Sequence, residues 1–163
     1  MFGLYDIRGL YGGDITTGFA RMLGNAVTKV FNPKSVIVAS DCRISSPVLK
    51  KALIDKLSCD IFDIGTVPTP LMYFAVNRLN TDMGIMITAS HPAKEYNGFK
   101  LVGKNGEPIY YSNGLEMIEE EIKKMNPLHI KSKRKVKNID IKTRYFTYVC
   151  RKIKLKKSIS MVI

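Results

Sequence analysis

The 163-residue sequence has no tryptophan, two histidines and three cysteines. With so little histidine and no Gly-x-Ser-x-Gly elbow, a serine-hydrolase triad is poorly supported. The cysteines (Cys42, Cys59 and Cys150) are widely spaced and form no Cys-x-x-Cys pair. We interpret them as reduced packing residues rather than metal ligands or a disulfide. No apolar run approaches the roughly 18 residues of a membrane span, and no signal-peptide pattern opens the chain. These absences predict a cytoplasmic protein without a membrane partner.

Acidic residues are scarce in the last part of the chain. The net charge is +12, yet residues 1–126 carry 14 Lys and Arg against 13 Asp and Glu. Residues 127–163 carry 12 against the single Asp140. We therefore predict a domain over 1–126, followed over 127–163 by a basic linker and the incomplete start of a second domain.

The basic tail leaves two interpretations open. Tyr145, Phe146 and Tyr148 lie among its basic residues and could interleave with nucleic-acid bases. A lysine run beside a domain is more often a solvated linker, so the sequence favours a tail that does not bind nucleic acid. Residues 142–150 could also form an amphipathic helix, and residues 160–163 read as the start of a strand.

Apolar runs of strand length alternate with helical segments before residue 126. This alternation predicts right-handed crossovers and a three-layer α/β/α fold with a mixed, mostly parallel sheet. Strands are predicted at 35–39, 60–65 and 83–87, with 99–102 returning antiparallel. Helices are predicted from a cap at Asp14 or Thr16 to residue 31, from Ser46 as cap to about 58, from Thr69 as cap to 79, and over 115–125.

The stretch from Thr88 to Lys100 contains the residues best suited to take part in a reaction. It follows a buried apolar run, so Ser90 and His91 are expected at the carboxyl end of a strand, where open α/β sheets bind ligands. A serine hydroxyl there can be a nucleophile or carry phosphate, and His91 and Lys100 add a titratable group and a positive charge. Asn97-Gly98 is predicted to supply the returning turn. The alternative is a polar turn without chemistry.

Four motifs carry a resemblance to a known family. They are Phe2-Gly3-Leu4-Tyr5-Asp6-Ile7-Arg8-Gly9, Asp41-Cys42-Arg43-Ile44-Ser45-Ser46-Pro47, Gly65-Thr66-Val67-Pro68-Thr69-Pro70 and the stretch from Thr88 to Lys100. Together they resemble the first domain of the α-D-phosphohexomutases, the phosphomannomutase/phosphoglucomutase family. Taken alone, Asp41 and Arg43 form a pair that often only braces a loop.

The resemblance implies a function and a set of site residues. Family members interconvert hexose 1- and 6-phosphates through a phosphoserine, with Mg²⁺ and a hexose bisphosphate activator. By this resemblance Ser90 carries the phosphoryl group and supplies one metal ligand, while His91 and Lys100 flank the transferring group as catalytic residues. Tyr5, Arg8 and Asn97 are implied to bind the hexose phosphate substrate.

Two departures from the family pattern qualify this expectation. Pro92 stands where the family has Asn after His, and a proline offers no backbone N–H to a phosphate. The family's remaining metal ligands come from an Asp-Gly-Asp-x-Asp loop, which occurs nowhere in the 163 residues. We therefore expect an isomerase domain that is incomplete and inactive by itself. An assembly module completed by a second chain is the alternative.

Overall fold

Six strands form one mixed sheet in the computed structural model, which describes residues 1–125, 134–153 and 160. The spatial order is β1-β5-β4-β2-β3-β6, and only β5 runs against its neighbours. The prediction of a mostly parallel sheet with one antiparallel strand is therefore confirmed. The strands are β1 (Ile7–Leu10), β2 (Ser35–Ser40), β3 (Asp60–Thr66), β4 (Met83–Ile87), β5 (Tyr96–Val102) and β6 (Lys135–Asn138).

Helices cover both faces of the sheet, as the three-layer prediction requires. The helices are α1 (Thr17–Phe31), α2 (Ser46–Ile54), α3 (Thr69–Leu79), α4 (Leu115–Lys124) and α5 (Lys142–Lys152). One apolar cluster joins α1, α2 and α4 to one face, and a second joins α3 and the start of α5 to the other. None of these helices is long and apolar enough to cross a membrane.

Helix α1 forms where local chemistry and the apolar pattern agree. The Thr16 hydroxyl caps it by accepting a hydrogen bond from the backbone N–H of Phe19 at 3.0 Å. Phe19, Leu23 and Val27 recur at helical spacing on its buried face. The helix ends where Asn32 adopts a left-handed conformation.

The predicted caps of α2 and α3 were wrong by one residue. Ser45 precedes α2 as N-cap and Pro68 precedes α3, and neither side chain makes a capping hydrogen bond. The hydroxyls of Ser45 and Ser46 instead accept hydrogen bonds from the Asn97 side chain. Helix α2 also ends at Ile54, earlier than predicted.

The predicted position of the turn before β5 was also wrong. Asn97 and Gly98 lie inside β5, and the chain reverses between Ser90 and Glu95. Gly98 is needed there because β1 and β5 approach closely: a Cβ at this position would lie 2.1 Å from the carbonyl oxygen of Ile7. An Asn-Gly pair is therefore not diagnostic of a turn in this chain.

The tail contributes a strand that the sequence did not predict. All four residues of β6 are exposed, and β6 pairs in parallel with β3 at the edge of the sheet. The predicted helix is present as α5, and two of its rings, Tyr145 and Tyr148, pack against Phe74 with centroids 5.3 Å apart. The boundary predicted at residues 126 and 127 lies outside the described residues, as does the strand predicted at 160–163 except for residue 160.

Only one cysteine is a packing residue. All three thiols are free. Cys59 is buried, and this burial raises the pKa of its thiol to about 11, so the thiol is uncharged at neutral pH. Cys42 and Cys150 are exposed, so the packing interpretation was wrong for both.

The core of α2 yields a direct test of the packing. Leu53 is fully buried between α1 and the sheet, whereas Lys51 on the same helix is exposed. We expect Leu53→Ala to lower the free energy of unfolding by about 2–5 kcal/mol, because it removes buried methyl groups and leaves a cavity. The matched variant Lys51→Ala should stay within about 0.5 kcal/mol of the parent. Urea melts measure both, and the reverse order would show that the core is misplaced.

Candidate active site

Three loops meet at the carboxyl ends of neighbouring parallel strands. They follow β2, β3 and β4 and surround an open cleft of about 640 Å³. The cleft is lined by Asp41, Cys42, Arg43, Val67, Pro68, Thr69, Met86, Thr88, Ser90, His91, Pro92 and Lys94. Ligands in open α/β sheets bind at this edge, so the cleft is the candidate site.

Ser90 occupies an unusual backbone conformation in the loop after β4. Its φ angle is +67°, in the left-handed region that few non-glycine residues adopt. Its backbone N–H donates to the Thr88 hydroxyl at 2.9 Å. Strain of this kind persists where surrounding contacts impose it and is common at functional sites. Ser90 and its neighbour His91 are exposed and line the same cleft, so the structure brings these two predicted residues together.

Arg43 braces the loop that carries Ser90. Its guanidinium has five N–H donors, and all five have acceptors. Nε donates to the Asp41 carboxylate at 3.1 Å. The other four N–H groups donate to the carbonyl oxygens of Ala93 at 2.7 Å, Tyr96 at 3.1 Å, Ser90 at 3.1 Å and Pro92 at 2.7 Å. Asp41 and Arg43 therefore stabilise the loop that carries Ser90 as well as their own loop.

Asp41 ties this brace to the ends of two strands. Its carboxylate accepts hydrogen bonds from the Arg43 backbone N–H at 3.0 Å and from the Ser46 hydroxyl at 2.6 Å. Its own backbone N–H donates to the carbonyl oxygen of Ile87 at 2.9 Å. Arg43 and Asp41 are therefore fixed to β4, the strand that leads into the loop that carries Ser90 (the serine loop, residues 88–95).

The structure places Asn97 away from the cleft. Its side chain is fully buried. Its amide nitrogen donates to the Ser45 hydroxyl at 2.7 Å and the Ser46 hydroxyl at 3.0 Å, and its oxygen accepts from the Gly98 N–H at 2.8 Å. Every contact of this side chain is internal, so its position is that of a structural residue.

The strand register places two cations on the face of the sheet that borders the cleft. Lys100 pairs with Met86, which lines the cleft, and residues paired across strands point to the same face. Arg8 pairs with Gly98, two residues from Lys100 on β5, so its side chain shares that face. Arg8 and Lys100 therefore share the sheet face of Met86. Neither of them, nor Tyr5, is among the residues that line the cleft.

Tyr5 and Arg8 differ in the hydrogen bonds and ion pairs that their groups make. The Arg8 guanidinium forms an ion pair with Asp6, while its buried Nε has no hydrogen-bond partner in the part of the chain that the structure describes. Tyr5 is 56% exposed, and its backbone carbonyl oxygen accepts a hydrogen bond from the Lys100 ammonium at 3.3 Å. Arg8 thus has an N–H donor, at a buried atom, that is unsatisfied among the described residues.

The described residues do not fit a magnesium site. Among them no three His, Cys, Asp or Glu side chains cluster. Asp41, the carboxylate that lines the cleft, accepts hydrogen bonds from Arg43 and Ser46 at both of its oxygens. Mg²⁺ requires several oxygen ligands in near-octahedral geometry, and the described residues do not provide them.

A larger groove lies elsewhere and contains none of the predicted site residues. It measures about 860 Å³ and runs between α3 and α5. Its lining includes the aromatic side chains Tyr73, Phe74, Tyr145 and Tyr148. Size favours this groove, but the smaller cleft is lined by Ser90 in its left-handed conformation and by His91, and catalysis requires reactive groups.

Sequence reasoning missed several lining residues of the cleft. Val67, Pro68 and Thr69 line it because β3 ends beside β2, and Cys42 lines it because it precedes Arg43. The spacing of Asp41 and Arg43 was the available signal. It could indicate a braced loop, but not that the braced loop is the one that carries Ser90.

Comparison with known proteins identifies the family. The family model described as "Phosphoglucomutase/phosphomannomutase, alpha/beta/alpha domain I" matches residues 1–128. Phosphomannomutase of Methanocaldococcus jannaschii is 39% identical over 138 residues, covering 77% of this chain and 30% of that protein. Phosphomannomutase/phosphoglucomutase of Pseudomonas aeruginosa is 36% identical over 169 residues, covering 100% of this chain and 36% of that protein.

Solved structures agree with the sequence matches. A phosphoglucomutase/phosphomannomutase family protein from Burkholderia thailandensis superimposes with a TM-score of 0.82 at 30% identity, covering 96% of this chain and 38% of that one. The chain thus spans about a third of the length of the relatives it matches. With the family model matching most of the chain, the protein belongs to the phosphoglucomutase/phosphomannomutase family and carries its alpha/beta/alpha domain I.

Proposed function

We propose that this chain is the phosphoserine domain of a phosphohexomutase, in which Ser90 carries a phosphoryl group to and from a hexose phosphate. One observation carries the proposal. Ser90 is held in a left-handed conformation at the carboxyl end of β4, beside His91 and on the face to which the register brings Lys100 and Arg8. The names of the relatives, phosphomannomutase and phosphoglucomutase, supply the substrate class.

The transfer step needs little from Ser90 beyond position. Ser90 Oγ forms a bond to phosphorus while the bond from phosphorus to the sugar oxygen breaks, and the hydroxyl proton of Ser90 ends on that oxygen. The charge to be stabilised lies on the phosphoryl oxygens, so fixed cations and in-line geometry supply the catalysis. We assign Lys100 and His91 to the transferring group and Arg8 to the phosphate of the substrate.

Two residues have narrower roles in this proposal. Tyr5 is exposed just before β1 and is assigned to the sugar. Asn97, buried beneath the loop, supports the site through Ser45 and Ser46 without touching substrate. Mg²⁺ would take one ligand from phosphorylated Ser90 and its other ligands from outside the described residues. The hexose bisphosphate would serve as phosphoryl donor.

Intact-mass spectrometry tests the carrier role. After incubation with glucose 1,6-bisphosphate and Mg²⁺, we expect the chain to gain the mass of one phosphoryl group at Ser90 and Ser90→Ala to gain none. Ser112→Ala is the matched control, because Ser112 is an exposed serine remote in sequence from the loop, and it should label like the parent. Equal labelling of the parent and Ser90→Ala, or no labelling of the parent, would contradict the proposal.

A further inference from the structure

Arg43 differs from the other arginine near the cleft in having no donor left. Each of its five N–H groups already has an acceptor, whereas Nε of Arg8 has none in the described residues. A guanidinium binds phosphate by presenting two parallel N–H groups. Arg43 could do so only by releasing the loop. Its role is therefore to hold the loop and not to bind the substrate.

The acceptors of Arg43 explain why one side chain can determine the loop's conformation. Four carbonyl oxygens between Ser90 and Tyr96 turn toward one guanidinium. Within the described part of the chain no strand pairing constrains residues 90–94, and the backbone nitrogen of Pro92 cannot donate a hydrogen bond. The carbonyl oxygen of Glu95, at the end of the loop, accepts from the Tyr11 N–H at 2.8 Å. A planar five-donor fork is rigid in a way that a lysine ammonium is not, so it can impose one arrangement on several carbonyls at once.

Ser90 is fixed on both sides by this arrangement. Its carbonyl oxygen accepts from Arg43, and its backbone N–H donates to the Thr88 hydroxyl. With both flanking peptide groups held, the left-handed conformation is imposed, and so is the direction in which the Cβ–Oγ bond leaves the backbone. Without Arg43 the residue is free to return to the more stable extended region.

We propose that Arg43 is a positioning residue that holds Ser90 in its left-handed conformation and thereby directs its hydroxyl into the cleft. The consequence for phosphoryl transfer rests on the proposed function of Ser90. Arg43 acts through the four carbonyl oxygens of the loop, and Asp41 anchors it to the ends of β2 and β4.

Nuclear magnetic resonance of the full chain tests the conformational part without any activity. The variants are Arg43→Lys, which keeps the charge, and Arg43→Gln, which keeps two N–H donors. Arg21→Lys, on the exposed side of α1, is the matched control. In both Arg43 variants we expect the carbon shifts of Ser90 to lose their left-handed signature. The Tyr96 amide, which closes the turn onto Ala93 at 3.0 Å, should exchange about tenfold faster or more. Arg21→Lys should match the parent.

Phosphorylation kinetics at Ser90 test the positioning part. We expect Arg43→Lys to lower the maximal labelling rate about a hundredfold, as misplacement of a reacting group by about 1 Å can do. The half-saturating bisphosphate concentration should be unchanged, because Arg43 has no donor for substrate. A raised half-saturating concentration with an unchanged maximal rate would make Arg43 a binding residue and overturn the inference.

The remaining outcomes distinguish a failure of this inference from a failure of the proposed function. Parent-like Ser90 shifts and Tyr96 exchange in both Arg43 variants would overturn the inference, as would global unfolding of both variants in thermal melts, since Arg43 would then determine the fold. If the parent does not label but the Arg43 variants lose the Ser90 signature, the proposed function fails while the role of Arg43 in the loop is supported.

Discussion

Gly98→Ala is expected to detach β1 from the sheet and to lower the free energy of unfolding by about 3 kcal/mol or more. The added Cβ would lie 2.1 Å from the carbonyl oxygen of Ile7 and 3.1 Å from the Cα of Arg8. Both obstacles are backbone atoms, so no side-chain rotation relieves the clash, and overpacking of this severity exceeds the usual 1–3 kcal/mol. Urea melts measure the loss.

A second glycine provides the control for this prediction. A Cβ on Gly103 would have the carbonyl oxygen of Glu107 as its nearest neighbour, at 3.8 Å, which is ordinary contact. Gly103→Ala should therefore stay within about 0.5 kcal/mol of the parent. Since Arg8 lies on β1, Gly98→Ala should also reduce labelling of Ser90. Similar melts for the two variants would show that β1 and β5 do not approach as closely as described.

The second large effect concerns turnover. We expect a polypeptide of these 163 residues to fold but to convert no measurable hexose 1-phosphate to 6-phosphate, even with Mg²⁺ and a bisphosphate. A substrate must be held while its ends exchange, and of the residues assigned to it or to the transferring group only His91 lines the open cleft. The described residues supply no carboxylate cluster for the metal. Loss of one charge stabiliser costs about 10²–10³ in rate, so a site without its metal alone should turn over too slowly to detect.

A coupled assay for the 6-phosphate measures this outcome, with the phosphomannomutase of Methanocaldococcus jannaschii as positive control and a cooperative melt to establish folding. Turnover by the purified chain that disappears in Ser90→Ala would contradict the prediction. It would mean that copies of the chain, or residues outside the described part, complete the site.

The core of the fold could be predicted from the sequence because its buried strands are continuous apolar runs. Met83–Ile87 is buried at every position, and β2 and β3 are similarly apolar where they face the helices. Such runs identify strands, and the helices between them require crossovers. Ser90 and His91 could be predicted as site residues because they directly follow one of these strands.

The missed features depend on partners that are distant in sequence. β6 has no apolar pattern and exists through its pairing with β3. Asn97 looked like a turn residue, but its amide satisfies two serines about 50 positions earlier. Arg43 looked like a local brace, but its acceptors lie about as far along the chain in the other direction. Single-sequence patterns report local periodicity and cannot identify such contacts.

The reversed strand β5 also sets an order of events during synthesis. β1 is made first, yet its pairing register is with residues 96–99, which leave the ribosome much later. The opening residues therefore have no strand partner until the loop that carries Ser90 has been made. Closing so long a loop is slow compared with forming local helices. Arg8 consequently takes its place on the sheet face that it shares with Lys100 only after β5 has been made.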